Sequence, residues 1–153
     1  MLRITLAVLH LLALGIGLGA IYARGRSSNR LGESPQMLRA TFAADSWWGF
    51  AALLWIATGL WRAFAATEKP SSYYWTNHVF YAKMGLFALI FLLELYPMIT
   101  LMRWRRASQR GLIDSNQLAR KGRTIARISD VQLLLLIGMV TAAVMMARGY
   151  GSR

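Results

Sequence analysis

Cysteine is absent from the 153 residues, which excludes disulfides, thiolate metal sites, iron–sulfur clusters and thiol catalysis. Acidic residues are scarce: six Asp and Glu stand against eighteen Lys and Arg, a net charge of +12. No polar stretch is long enough to build a separate soluble module, so the chain reads as one domain over residues 1–153. In a soluble protein this excess of positive charge would suggest nucleic acid. Here the basic residues flank apolar runs, so they are read as topology determinants and contacts for anionic lipid head groups, and nucleic acid is not an expected partner.

What is abundant is apolar sequence, in four stretches: Ile4–Tyr22, Trp47–Ala66, Val79–Met102 and Val131–Ala147. Each is close to the length of about 20 residues that carries a helix across a hydrocarbon core. The expected fold class is all-α, an integral membrane four-helix bundle. The first run resembles a secretory signal, but it continues to Tyr22, contains His10 and ends in arginines, so a retained first helix is expected. Twelve basic residues fall between helices one and two (Arg24, Arg26, Arg30, Arg39) or three and four (Arg103 to Arg127). Only Arg3, Lys69, Arg148 and Arg153 fall on the opposite face. The positive-inside rule then makes both basic loops cytoplasmic and puts both termini outside, in a multi-pass protein.

Several local features refine this picture. Gly15 and Gly19 form a small-xxx-small pair expected to admit a neighbouring backbone. The Gly15–Ala20 run superficially resembles a dinucleotide fingerprint, but no strand precedes it. Ser34-Pro35 predicts a short amphipathic helix through Met37, Leu38 and Phe42. Asp114-Ser115 predicts another through Ile128, lying in the head-group layer or solvated as a basic linker. Tyr73, Tyr74 and Trp75 suit an outer aromatic belt, and Trp47, Trp48 and Trp104 an inner one. Pro97 predicts a kink near Glu94 by freeing the Leu93 carbonyl.

Within the apolar stretches only His10, Arg62, Lys83 and Glu94 are ionisable. Measured from the outer ends, His10 lies roughly 9 Å deep, and Arg62 and Lys83 each roughly 6 Å. Glu94 stands about 12 Å from the inner boundary set by Met102. Lys83 and Glu94 are three helical turns apart and share a face, while Trp48, Trp55 and Arg62 form a stripe on helix two. Each residue also has a plainer reading. Arg62 and Lys83 can snorkel to the interface, His10 can be a satisfied core residue, and Glu94 can pair with an arginine such as Arg103.

A ligand matching three nitrogenous side chains in one layer would be a porphyrin, with propionates on Arg62 and Lys83 and an iron on His10. The bis-histidine arrangement of common b-type cytochromes is excluded, because His10 is the single histidine within a span. A second axial ligand would be Lys83, Met145 or Met146, or none.

The segments Leu9–Gly15 and Leu54–Arg62, with Lys83-Met84, Glu94 and Pro97, resemble a family of uncharacterised bacterial four-helix inner-membrane proteins. The resemblance covers nearly the whole chain and implies a bacterial inner-membrane location without an activity. A more distant similarity reaches the HemJ-type protoporphyrinogen oxidases and the CopD-like proteins. The HemJ type carries a functional histidine in its first helix and a lysine early in its third, and is associated with haem b; His10 and Lys83 occupy matching places. Two readings follow. In the first, the chain binds haem b through His10, Arg62 and Lys83, with Glu94 on a proton path if chemistry occurs. In the second, it is a non-catalytic accessory or assembly subunit of a larger membrane complex, or a homo-oligomer, embedded in membrane lipid.

Overall fold

A computed structural model describes residues 1–64, 76–111 and 115–151. The four apolar stretches become four long helices: α1 (Leu2–Asn29), α2 (Pro35–Phe64), α3 (His78–Gln109) and α4 (Ser115–Ala147). The outer loop with Tyr73, Tyr74 and Trp75, and Asp114 with its capping role, lie outside the described residues.

Pairwise contacts keep a constant antiparallel register. Along α1 and α2, His10 faces Thr58, Gly17 faces Ala51, Arg24 faces Asp45 and Ser27 faces Thr41. Helix α4 runs antiparallel to α1, with Ser129 against Arg24 and Gly25. It is likewise antiparallel to α3, with Gln132 against Ile90 and Gly138 against Leu86. The order around the bundle is therefore α2, α1, α4, α3. Helices α2 and α3 close the ring but barely touch through their backbones.

Among the described residues, α1, α3 and α4 are long and apolar enough to cross a membrane. Helix α2 carries an apolar run of its own, interspersed with four tryptophans and Arg62. It is matched to α1 turn for turn, so wherever α1 crosses, α2 crosses beside it.

The two expected surface helices are not separate elements. Met37, Leu38 and Phe42 belong to the first turns of α2, and Leu118 and Ile125 to the first half of α4. Their apolar side chains turn inward and pack with Leu31, Leu101 and Trp104 in a second core. A second core is cheaper than spreading those residues on a surface, because neighbouring helix ends are already aligned to cover them. The first core, nearer the termini, contains Ala20, Ile21, Trp48, Ile90, Leu136 and Met139.

Two further expectations change. Trp48 and Trp104 belong to these cores rather than to a belt. Gly15 and Gly19 face open space; the close approaches are at Gly17, where a methyl group would sit 3.1 Å from the Trp48 ring, and at Gly25 against Ser129. Tightest of all is Gly122, where a methyl group would collide with the Ser28 carbonyl and the Leu31 side chain. Pro97 is buried, and α3 continues through it as one helix.

Candidate functional site

Arg24, assigned by sequence to a basic loop, is inside α1 and fully buried. The loop reading failed because α1 continues seven residues past Tyr22. All five N–H groups of its guanidinium are used. Nη1 donates to Glu94 Oε1 at 2.6 Å and to Asp45 Oδ1 at 3.2 Å. Nη2 donates to Glu94 Oε2 and Gln132 Oε1, each at 2.8 Å, and Nε donates to Ser129 Oγ at 3.3 Å. Gln132 completes the ring by donating to Glu94 Oε2 and to the Ile90 carbonyl. Arg105 then holds the second oxygen of Asp45, together with the Phe42 carbonyl and Ser46 Oγ. Every helix contributes, and the formal charges of two arginines and two carboxylates cancel. A bidentate arginine–carboxylate pair is the strong form of the ion pair, and further acceptors satisfy the guanidinium edges that burial would otherwise leave unpaired.

Glu94 thus pairs with Arg24, not with Arg103, and both carboxylate oxygens are engaged. Tyr22, Trp47 and Tyr96 are exposed aromatics, each two residues, or about 3 Å of helix, from Arg24, Asp45 or Glu94. An exposed Trp/Tyr ring at one height marks a membrane–water interface. The cluster therefore lies at the height of this aromatic ring, inside the protein.

His10 stands in a different layer, fourteen residues along α1 from Arg24, or about 21 Å. Its Nδ1 is 2.9 Å from Thr58 Oγ1, and its ring stacks on Trp55 at 5.4 Å between centroids. The Thr58 hydroxyl spends its own proton on the Leu54 carbonyl at 2.7 Å. With its proton so used it accepts from His10 Nδ1–H, the tautomer that carries the lone pair on Nε2. Gly59 makes room for the ring: a methyl group there would come 3.2 Å from His10 Cε1. Trp55 also meets Phe87 of α3, at 6.5 Å between ring centroids.

Arg62 is one turn beyond Thr58 on α2, and Lys83 one turn before Phe87 on α3, both half-buried. The aromatic contact joins the two helix faces that carry them to the His10 layer. The Trp55 indole N–H is buried with no hydrogen-bond partner among the described residues. Met145, a candidate second ligand, instead lines an open groove of about 430 Å³ between α3 and α4 with His78, Val79 and Ala82. The enclosed void beneath Trp48 and Trp55 is only about 10 Å³. No group of three or more His, Asp or Glu capable of holding a metal ion occurs among the described residues.

Sequence reasoning missed Arg24, Asp45, Ser129 and Gln132. A signal existed in Ser129 and Gln132, polar positions three apart at the start of an apolar run.

No curated protein and no solved structure matches the chain. One family model does, over residues 2–151, and its description agrees with the apolar helices and the aromatic ring. The chain belongs to the family described as predicted membrane protein (DUF2214).

Proposed function

We propose that this membrane protein binds haem b or a related porphyrin in the His10 layer, between the facing sides of α2 and α3. The observation that carries the reading is the contact of His10 Nδ1 with the Thr58 hydroxyl, which is itself bonded to the Leu54 carbonyl. An imidazole whose Nδ1–H is held by a neighbour presents Nε2 as the donor atom, as metal-ligating histidines do. The surroundings fit the group in donor type: aromatic rings at Trp55 and Phe87, cationic side chains at Arg62 and Lys83, and an indole N–H buried without an acceptor. The 10 Å³ void cannot take a plate of that size, so binding parts α2 from α3, where backbone contact is least. Bound there, a haem would supply one-electron chemistry. Residues of the chain hold it, orient it and exclude water. Glu94, about 21 Å away in height, serves helix cohesion in this reading rather than a proton path.

The test is the visible spectrum of the protein purified after expression with a haem precursor. A Soret band is expected in the wild type. It should be lost in His10→Ala and shifted in Thr58→Val, which removes the tautomer lock, with helix content unchanged in both. An unchanged band in His10→Ala would place the ligand elsewhere. A wild type without a band after haem titration would overturn the reading. The accessory-subunit alternative is favoured by one observation, the saturation of Arg24, which commits the buried charges to holding four helices together. It expects co-purifying membrane proteins and an empty spectrum.

A further inference from the structure

Beyond the aromatic ring, at the basic end, the surface of α3 differs from that of its neighbours. There α1 shows Arg26 and Asn29, α2 shows Gln36 and Arg39, and α4 shows Arg120, Arg123 and Arg127, all exposed. Helix α3 shows Met98, Ile99 and Met102, which are 40–45% exposed, and then Arg103 and Arg106. Leu92, Leu95, Ile99, Met102 and Arg106 follow one another at alternating three- and four-residue steps. They form one stripe that leaves the membrane zone apolar and ends in guanidinium groups.

The apolar stretch of α3 is about five residues longer than that of α1, or roughly 7 Å. A lone helix would absorb such an excess by tilting. Helix α3 is held at its start, by Asn77 on the Tyr150 carbonyl, and at its middle, by Gln132 on Ile90 and Glu94, so the excess projects past the ring instead.

We propose that this stripe is a binding site for an anionic phospholipid. Its acyl chain lies along Leu92, Leu95, Ile99 and Met102, and its phosphate is held by Arg103 and Arg106. Continuity with the lipid-facing surface supplies the apolar half of the argument. Charge complementarity at the end of the same stripe supplies the other half, and among the described residues no other helix combines the two at this height.

Native mass spectrometry of the purified full chain, titrated with phosphatidylglycerol or phosphatidylcholine, tests the assignment. Phosphatidylglycerol should be retained in preference, and Arg103→Gln/Arg106→Gln should weaken that retention roughly thirty-fold, from the usual contribution of two surface cations. The equal charge change Arg120→Gln/Arg123→Gln on α4 should leave retention unchanged. Equal losses in both double variants would reduce the effect to general basicity and overturn the site. A dimer that Met102→Lys dissociates would overturn it in favour of a second copy of the chain. If the α3 double variant does not fold, Met102→Gln carries the test, with reduced retention expected and unchanged retention overturning the proposal.

Discussion

On the terminal side of the Arg24 layer the helices meet through Ala20, Ile21, Trp48, Ile90, Leu136 and Met139; on the basic side they meet through Leu31, Leu101, Trp104, Leu118 and Ile125. The inner contacts look alike, but the outer surfaces do not. The first region exposes Leu12, Leu53, Phe91, Leu134 and Ile137, each more than half exposed. The second exposes arginines, apart from the α3 stripe. In the first, lipid tails are as apolar as the core, so cohesion comes from close packing and polar bonds. In the second, water or head groups surround the helices, and burying Leu118 or Ile125 gains hydrophobic free energy. The Arg24 cluster sits between the regions and holds the helices together where one driving force gives way to the other.

The largest effect should come from that junction. Arg24→Leu leaves the half-buried Glu94 without its bidentate partner and Asp45 with Arg105 alone, and should cost about 3–5 kcal/mol, read as a lower unfolding midpoint in detergent. Adding Glu94→Gln should recover part of the loss; a strictly additive double variant would show that the two residues do not act as a unit. Next comes the contrast between the cores. Ile125→Ala should cost about 2–5 kcal/mol. Leu136→Ala, equally buried, should cost less in a bilayer, because the lost side chain gives up packing but little transfer energy. Equal costs would erase the distinction between the regions. Gly122→Ala should destabilise by about 1–3 kcal/mol, since the obstructing atom is a backbone carbonyl. Gly15→Ala should be the smallest change and of opposite sign, a gain of up to about 1 kcal/mol, because nothing lies near it and alanine favours the helix.

Four helices and the shared face of Trp48 and Trp55 on the second of them were legible in the sequence, because apolar length and seven-residue spacing are local properties. The ends of the helices were not. Arg24 follows an apolar run exactly as a boundary arginine would, and only its partners, 21, 70 and 108 residues away, reveal that it is interior. Gly15 and Gly19 satisfied a spacing rule, yet the face carrying Ala13, Gly17 and Ala20 is the one that packs. Which of two small-residue faces meets a neighbour depends on Trp48, a residue on another helix. The amphipathic run after Ser115 was recognised correctly, but its apolar face covers protein rather than lipid. The two environments call for the same pattern, and the sequence cannot separate them.

The chain separation within the Arg24 cluster also orders the protein's biogenesis. When α1 and α2 have been made, the guanidinium has Asp45 alone; Glu94 arrives with α3, and Ser129 and Gln132 only with α4. A three-helix intermediate therefore presents an unfinished polar edge at the membrane surface, where water can still reach it. Synthesis of α4 seals that edge, so a ribosome-bound chain that stops before Ser129 should remain accessible to water-soluble reagents at Arg24, and a complete chain should not.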